Sequence, residues 1–231
     1  ESHYTIAQYT QPSVLRMLEI GVNPTTAKPQ KKHITVLFSD IIGFSQFAER
    51  LKSDDLIDLV NRHAQICIEQ VSRNGGQVNK LLGDGVLTYF ADQDTDAALE
   101  AAISILREME RHRRSARDGS PHKLLFAGVG LANGVAYEGN VGSELKRDFT
   151  ILGSAVNQAS RLELLTRRLN VRIIMSEAVA KRANPSRNLI SLGRHQLIGQ
   201  SAAVEIFTLG SFEPLNIKQL RAQIDEMLLR N

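Results

Sequence analysis

Apolar residues in the first part of the chain recur with two different spacings, which separate short strands from long helices. Leu56, Val60, Ala64, Cys67 and Val71 repeat at helical spacing, whereas shorter apolar runs have the length of strands. The elements predicted here, in chain order, are a strand at 33–39, a helix that begins at a Ser53 cap and ends at 74–76, a hairpin at 77–90, a helix at about 95–115, a strand at 123–132 and, after a turn at Asn133-Gly134, a strand at 135–139.

The second part of the chain adds elements to the same sheet. The pattern predicts a glycine-rich, charged arm at 139–148, a helix at 154–169 capped by Ser154, a strand at 171–175, a short helix from about 176, and strands near 188–198 and 203–209. Up to the arm, the order is strand, helix, hairpin, helix, strand. That order is typical of a ferredoxin-like α+β fold, in which an antiparallel-rich sheet is flanked by helices.

Two further helices are predicted outside this core. The stretch at 3–20 is followed at 23–29 by a linker with two prolines, which favours a connector helix over a core helix. Apolar residues in the tail at 216–230 are spaced as in a coiled coil of only two heptads, which we expect to pack against a second copy or the domain itself. The predicted organisation is a connector at 1–30, one domain at 31–212 and a C-terminal helix at 213–231.

Composition narrows the classes of function. With 231 residues and a net charge of +3, the chain has the size of one α/β domain, and no nucleic-acid binding is predicted. The apolar runs are too short to span a membrane, no signal peptide is visible, and the single cysteine, Cys67, is expected to fill the core. We expect a cytoplasmic protein that does not bind membranes. The chain begins at Glu1 rather than Met, as expected of a fragment of a longer protein.

Two aspartates lie where apolar runs end or turn. Asp40 ends the run at 34–39, and Asp84 lies in a Gly-Asp-Gly turn inside the predicted hairpin. Singly, each is more often a turn former than a ligand. A strand end and an adjacent hairpin tip can hold two carboxylates together, which like-charge repulsion disfavours unless a cation lies between them. The pair therefore predicts Mg²⁺-dependent phosphoryl or nucleotidyl transfer.

Other polar groups follow these aspartates. Gly43, Phe44 and Ser45 precede a predicted helix, where backbone N–H groups could receive phosphate oxygens. Asn157 and Arg161 are four residues apart and therefore share one helix face. Such a pair could orient a ribose and stabilise charge on a transferring phosphoryl group, although a solvated helix face explains it equally well.

Three motifs in this order resemble the catalytic domain of class III nucleotidyl cyclases. They are Phe-Ser-Asp-Ile-x-Gly-Phe-Ser, Lys-x-x-Gly-Asp-Gly and Gly-x-x-Val-Asn-x-Ala-x-Arg-Leu, and the resemblance spans about residues 33–210. The lead-in at 9–24 and the arm at 138–148 are similar to those of bacterial adenylyl cyclases linked to a BLUF photosensor. The resemblance implies an FMN or FAD cofactor, and light control, only if a sensor domain precedes this segment in the full-length chain.

The resemblance also implies roles for individual residues. Asp40 and Asp84 would bind two Mg²⁺ or Mn²⁺ ions with help from the carbonyl of Ile41. Lys80 and Thr150 match the base-selecting positions, where a lysine donor and a threonine hydroxyl suit adenine. Guanylyl cyclases resemble one another in having Glu and Cys there.

The resemblance further implies that Asn157 orients the ribose and Arg161 stabilises the transition state at the α-phosphate. In the family, the metal aspartates of one subunit face the base-selecting and Asn/Arg residues of the other. One chain here carries both sets. We therefore expect a homodimer with two equivalent sites that converts ATP to 3′,5′-cyclic AMP and pyrophosphate.

One departure from the family leaves alternatives open. Many cyclases carry a triphosphate-binding lysine where this chain has Ile198, and Lys146, Arg147 or Arg168 are candidate substitutes. The change favours an alternative hypothesis, a catalytically weak or silent nucleotide-binding dimerisation module. Guanylyl cyclase activity is disfavoured by Lys80 and Thr150. A diguanylate cyclase would be expected to show a Gly-Gly-Asp/Glu-Glu-Phe turn, which the Gly-Asp-Gly turn is not.

Overall fold

The computed structural model describes residues 10–143, 145–199 and 202–230. Its helices are α1 (Pro12–Glu19), α2 (Phe44–Arg50), α3 (Ser53–Arg73), α4 (Thr95–Ser115), α5 (Ser154–Leu169), α6 (Glu177–Ala180) and α7 (Ile217–Arg230). Its strands are β1 (Gln30–Ile41), β2 (Gln77–Leu82), β3 (Gly85–Ala91), β4 (Ala127–Gly142), β5 (Arg147–Leu152), β6 (Ile173–Ser176), β7 (Leu189–Gln196) and β8 (Ala203–Leu209). No helix within these ranges combines the length and apolar character needed to cross a lipid bilayer.

These strands form one sheet with the order β2-β3-β1-β4-β6-β8-β7, and β5 pairs with the second half of β4. Every pairing is antiparallel except that of β4 with β6. Successive residues of β1 point to opposite faces, so Leu37 joins the apolar layer under α3 and α4 while Val36 joins the layer under α5. The predicted antiparallel-rich α+β fold with flanking helices is confirmed.

The predicted turn at Asn133-Gly134 is wrong, because β4 runs through it without a break. Asn133 is buried, and its side-chain amide donates to Thr35 Oγ1 at 2.9 Å and to Asp92 Oδ1 at 2.8 Å. With these partners the asparagine pairs in register opposite Thr35 of β1. The strand predicted from 123 begins instead at Ala127, after a short 3₁₀ turn.

The two predicted serine caps are also wrong. Helix α3 has Lys52 at its N-cap and α5 has Gly153, and neither N-cap makes a side-chain capping bond. Ser53 and Ser154 are instead the first helical residues. The Ser154 hydroxyl donates to the carbonyl of Val135 at 3.5 Å, so it joins α5 to β4 rather than capping the helix.

The C-terminal helix α7 packs on its own chain. Ile217, Leu220 and Ile224 are buried in the apolar layer that also contains α3 and α4. A Cβ on Gly43 would lie 2.7 Å from Ile224 Cδ1, so α7 approaches the backbone just before α2 closely. Two packing partners are expected from the sequence of this helix, a second copy of the chain or the domain itself, and the structure shows it packed on the domain.

Helix α1 contacts the domain through polar groups and buries none of its residues. The Gln11 amide donates to Asp148, and Arg16 Nη2 donates to Gln77 Oε1 at 2.8 Å. Helix α1 is therefore not part of the core, and its role as a connector stays a prediction. Residues 3–9 of the predicted helix lie outside the described residues.

Close approach of α5 to β4 depends on Gly130. A Cβ there would lie 2.1 Å from the backbone oxygen of Ala159, a contact that a flexible side chain cannot relieve. We expect Gly130→Ala to lower the free energy of unfolding by about 1–3 kcal/mol in urea denaturation. Gly134→Ala is the matched control on the same strand, since its nearest neighbour would be Ala155 Cβ at an ordinary 3.6 Å. Equal losses in both variants would contradict this account.

Candidate active site

The carboxylates of Asp40 and Asp84 lie side by side. Asp40 is near the end of β1, and Asp84 lies in the turn between β2 and β3. Both accept from the backbone N–H of Ile41, at 3.0 Å to Asp40 Oδ1 and 3.3 Å to Asp84 Oδ2. The structure therefore brings together the two aspartates that the sequence predicts to be paired.

The electrostatics of this pair suit a bound cation. Burial, followed by the hydrogen bond and negative charge of Asp40, raises the pKa of Asp84 well above its ordinary value. The Ile41 carbonyl also faces the site, since Arg167 Nη2 donates to it at 3.4 Å. Among the described residues, no group of three His, Cys, Asp or Glu side chains forms a metal site. A divalent ion held by two carboxylates and one carbonyl would keep coordination positions for water or phosphate, as Mg²⁺ prefers.

A cavity opens beside the two carboxylates. Its volume of about 530 Å³ lies within the range of small-molecule sites. Its lining residues are Asp40, Ile41, Gly43, Phe44, Ser45, Gln46, Asp84, Leu164, Arg167 and Arg221. The expected phosphate-binding segment from Gly43 to Ser45 therefore lies at the carboxylate pair, and two arginines that the sequence did not indicate join it.

The two predicted base-selecting residues lie together on β2 and β5. Thr150 is buried and its hydroxyl donates to Asn79 Oδ1 at 3.0 Å, which leaves its oxygen lone pairs as acceptors. The Lys80 ammonium forms an ion pair with Asp148, whose other carboxylate oxygen accepts from Gln11 of the α1 lead-in. The sequence motifs indicate Lys80 and Thr150, but nothing in the sequence indicates the partners Asp148 and Asn79 that hold them.

Asn157 and Arg161 project from the first half of α5. Asn157 is exposed and Arg161 is half-buried, and no described residue forms a hydrogen bond or ion pair with either side chain. A Cβ on Gly199 would lie 3.1 Å from Arg161 Nη2, so Arg161 lies beside the segment that follows Ile198. Ile198 itself is 78% exposed.

The predicted site residues do not all meet at one place in the chain. The carboxylate cavity is lined by the metal-binding candidates and the segment after them. Within the described part of the chain, Lys80, Thr150, Asn157 and Arg161 do not line it. A single chain therefore does not bring all of the predicted site residues together.

His63 lies behind the carboxylates and was not anticipated. It is fully buried, and its Nε2 is 2.9 Å from the Ser39 hydroxyl and 3.5 Å from Cys67 Sγ. Burial outweighs the charge of Asp40 and lowers the pKa of His63 to about 4, so the imidazole is neutral at pH 7. It supports the strand end that carries Asp40. Its position on an apolar helix stripe gave no sequence signal.

One family model and several curated proteins match most of this chain. The chain matches the family model for the adenylate and guanylate cyclase catalytic domain over residues 26–210. It is 29% identical over 175 residues to an adenylate cyclase of Anabaena cylindrica, covering 74% of this chain and 33% of that protein. It is 33% identical over 150 residues to the terminal-differentiation-specific adenylate cyclase of Dictyostelium discoideum, covering 63% of this chain and 7% of that protein. The chain thus spans a third or less of the length of these curated relatives.

Solved structures extend the comparison. The chain is similar to a bacterial light-regulated adenylyl cyclase with a TM-score of 0.93 and 36% identity, covering 98% of this chain and 66% of that one. It is also similar to an adenylyl cyclase from P. aeruginosa, with a TM-score of 0.70 and 26% identity, covering 81% and 98%. A guanylyl cyclase structure at 22% identity shares the fold, with a TM-score of 0.68 over 82% and 98%.

Proposed function

Because the chain belongs to the family of adenylate and guanylate cyclase catalytic domains, we propose that it converts ATP to 3′,5′-cyclic AMP and pyrophosphate. The observation that carries the proposal is the pairing of Asp40 and Asp84 on one N–H at the edge of a cavity of nucleotide-binding size. Similarity to adenylyl cyclases at 29% and 36% identity supports the choice of activity.

In this proposal, Asp40, Asp84 and the carbonyl of Ile41 would hold two Mg²⁺ or Mn²⁺ ions. When bound, such ions favour deprotonation of the ribose 3′-hydroxyl and neutralise charge on the phosphates. Gly43, Phe44 and Ser45 line the same cavity and are the proposed backbone donors to the phosphate chain. By holding the phosphate chain, these donors would place the α-phosphorus for in-line attack by the ribose 3′-oxygen, with pyrophosphate as the leaving group.

Lys80 and Thr150 are the proposed adenine contacts. Adenine presents an acceptor at N1 and a donor at N6, which are complementary to an ammonium group and to the lone pairs of a hydroxyl. Thr150 uses its own proton on Asn79 and so remains an acceptor, and Lys80 keeps two N–H donors beyond its contact with Asp148. These contacts would favour ATP over GTP.

Asn157 and Arg161 are the proposed ribose-orienting and transition-state residues. An arginine at the α-phosphate stabilises the negative charge that develops during the attack. These residues do not line the cavity of the carboxylates in one chain. A homodimer would bring two half-sites together, the carboxylate cavity of one subunit and the Asn157 and Arg161 side chains of the other. Each dimer would then hold two equivalent active sites.

A second candidate is a nucleotide-binding signalling module with weak or no catalysis. The exposed Ile198 favours it, because an aliphatic side chain cannot donate to phosphate. The contact of Lys80 with Asp148 also favours it, since the ammonium group is partly engaged. Similarity to a light-regulated cyclase favours a sensor, with FMN or FAD if it is a BLUF domain, in the full-length protein.

Cyclic nucleotide formation tests the proposal directly. We expect cyclic AMP from ATP with Mn²⁺, little product from GTP, and a rate per chain that rises with protein concentration as dimers form. Product from neither nucleotide, with intact nucleotide binding by calorimetry, would favour the silent module. A preference for GTP would refute the proposed base contacts.

A further inference from the structure

We propose that Arg167, oriented by Glu163, binds the phosphate chain of the nucleotide. This inference rests on the proposed function, because it adds a binding residue to the same site. Arg167 would come from the subunit that carries Asp40 and Asp84. It would supply the positive charge that Ile198 cannot.

The guanidinium of Arg167 has one fixed edge and one edge in the cavity. Nη1 forms an ion pair with the Glu163 carboxylate. Nη2 lies 3.4 Å from the Ile41 carbonyl oxygen and 3.6 Å from Asp40 Oδ2. The side chain is 18% exposed and lines the carboxylate cavity. Arg167 is therefore aimed at the point where the metal-binding groups meet.

Glu163 has no solvent-exposed side-chain surface, and no described residue bonds to its Oε2. A buried carboxylate is costly unless a cation compensates it, and Arg167 is that cation. Gly128 makes the space, because a Cβ there would lie 2.4 Å from Glu163 Oε1. Gly128 also pairs with Asp40 across β1 and β4. The glycine opposite Asp40 therefore leaves room for the Glu163 carboxylate, which orients Arg167.

Charge and geometry favour phosphate as the partner of the free edge. The contacts of Nη2 are longer than the 2.7–2.9 Å typical of a charged hydrogen bond, so this edge is only loosely paired. A divalent ion at Asp40 would compete with the guanidinium for the same carboxylate. Arg167 Nη2 would then turn to the remaining anion in the cavity, the phosphate chain, beside Arg221.

The substitutes considered from sequence are less well placed. Arg168 and Lys146 are exposed, and neither lines the cavity of Asp40 and Asp84. Arg147 Nη1 donates to the backbone oxygen of Thr25 at 3.2 Å. Arg167, which the sequence did not indicate, instead contacts Asp40 and the Ile41 carbonyl directly.

Binding of inorganic pyrophosphate tests the assignment without catalysis. Arg167→Gln should weaken pyrophosphate binding in the presence of Mn²⁺ by about 10- to 100-fold in calorimetry, the worth of one hydrogen bond to a charged group. Arg168→Gln is the matched control, with the same charge change on the next residue, and should stay within about twofold of the parent. Equal pyrophosphate affinity in the parent and Arg167→Gln would overturn the proposal.

Mn²⁺ alone distinguishes phosphate binding from a merely structural role. The Arg167→Gln substitution removes the guanidinium group that competes with Mn²⁺ for Asp40. The Mn²⁺ affinity of this variant should therefore equal or exceed that of the parent. If Arg167 only positioned Asp40, Mn²⁺ affinity would fall with pyrophosphate affinity, which would overturn the assignment. Because Arg167→Gln leaves Glu163 unpaired, the double variant Glu163→Gln/Arg167→Gln is measured beside it, and it should show the same selective loss of pyrophosphate.

The two proposals fail in different assays. Absence of cyclic nucleotide from the parent chain would refute the proposed function, and the pyrophosphate titration would still measure the contact of Arg167. Cyclic AMP formation by the parent with no effect of Arg167→Gln on pyrophosphate would refute this inference alone.

Discussion

Mixing Asp40→Ala chains with Arg161→Ala chains should restore cyclic AMP formation that neither variant supports alone. Each single variant should lose at least about a hundredfold in rate, since one lacks a proposed metal ligand and the other the proposed transition-state cation. In a heterodimer, one site combines both defects while the other combines an intact Asp40 with an intact Arg161. Random association should therefore recover about a quarter of the parent rate.

A second pair of variants provides the control for complementation. Asp40→Ala and Asp84→Ala affect the same half-site, so every site in their heterodimer lacks one carboxylate, and mixing should restore nothing. Heterodimers purified through two different tags make the comparison quantitative. If purified Asp40→Ala/Arg161→Ala heterodimers stay as inactive as the single variants, the active site is not shared between subunits.

The juxtaposition of Asp40 and Asp84 could be predicted because local rules determine both positions. An apolar run that ends in a carboxylate predicts a strand end, and Gly-Asp-Gly between two apolar runs predicts a hairpin tip. Strand β1 pairs with β3 of that hairpin, so the end of β1 and the hairpin tip lie next to each other. The order of the three motifs is by itself enough to indicate the family.

The partners of these residues could not be predicted because they come from distant parts of the chain. Lys80 and Asp148 are 68 residues apart, and nothing local to either indicates their ion pair. Glu163 and Arg167 have the spacing of an ordinary exposed helix pair, and the pattern does not show that Glu163 is buried. The predicted turn at Asn133-Gly134 is wrong for the same reason, because the strand conformation there depends on hydrogen bonds to Thr35 and Asp92.

The base preference should reverse when the proposed adenine contacts are replaced by those that suit guanine. Guanine presents N1–H and N2 donors and an O6 acceptor, which complement the carboxylate of Lys80→Glu and the thiol of Thr150→Cys. Lys80→Glu alone would place two carboxylates together at Asp148, so Asp148→Asn belongs in the same variant. We expect the ratio of kcat/KM for ATP to that for GTP to fall by about a thousandfold in this triple variant.

Asp148→Asn alone separates base recognition from the ion pair that holds Lys80. This variant keeps both adenine contacts, so it should retain the parent's preference for ATP. Its KM for ATP should be equal or lower, because Lys80 loses a competing carboxylate. Direct binding of non-hydrolysable ATP and GTP analogues checks that the triple variant still forms a nucleotide site. If it binds both analogues yet keeps the parent's ATP preference, Lys80 and Thr150 do not contact the base, and selectivity must come from elsewhere in the dimer.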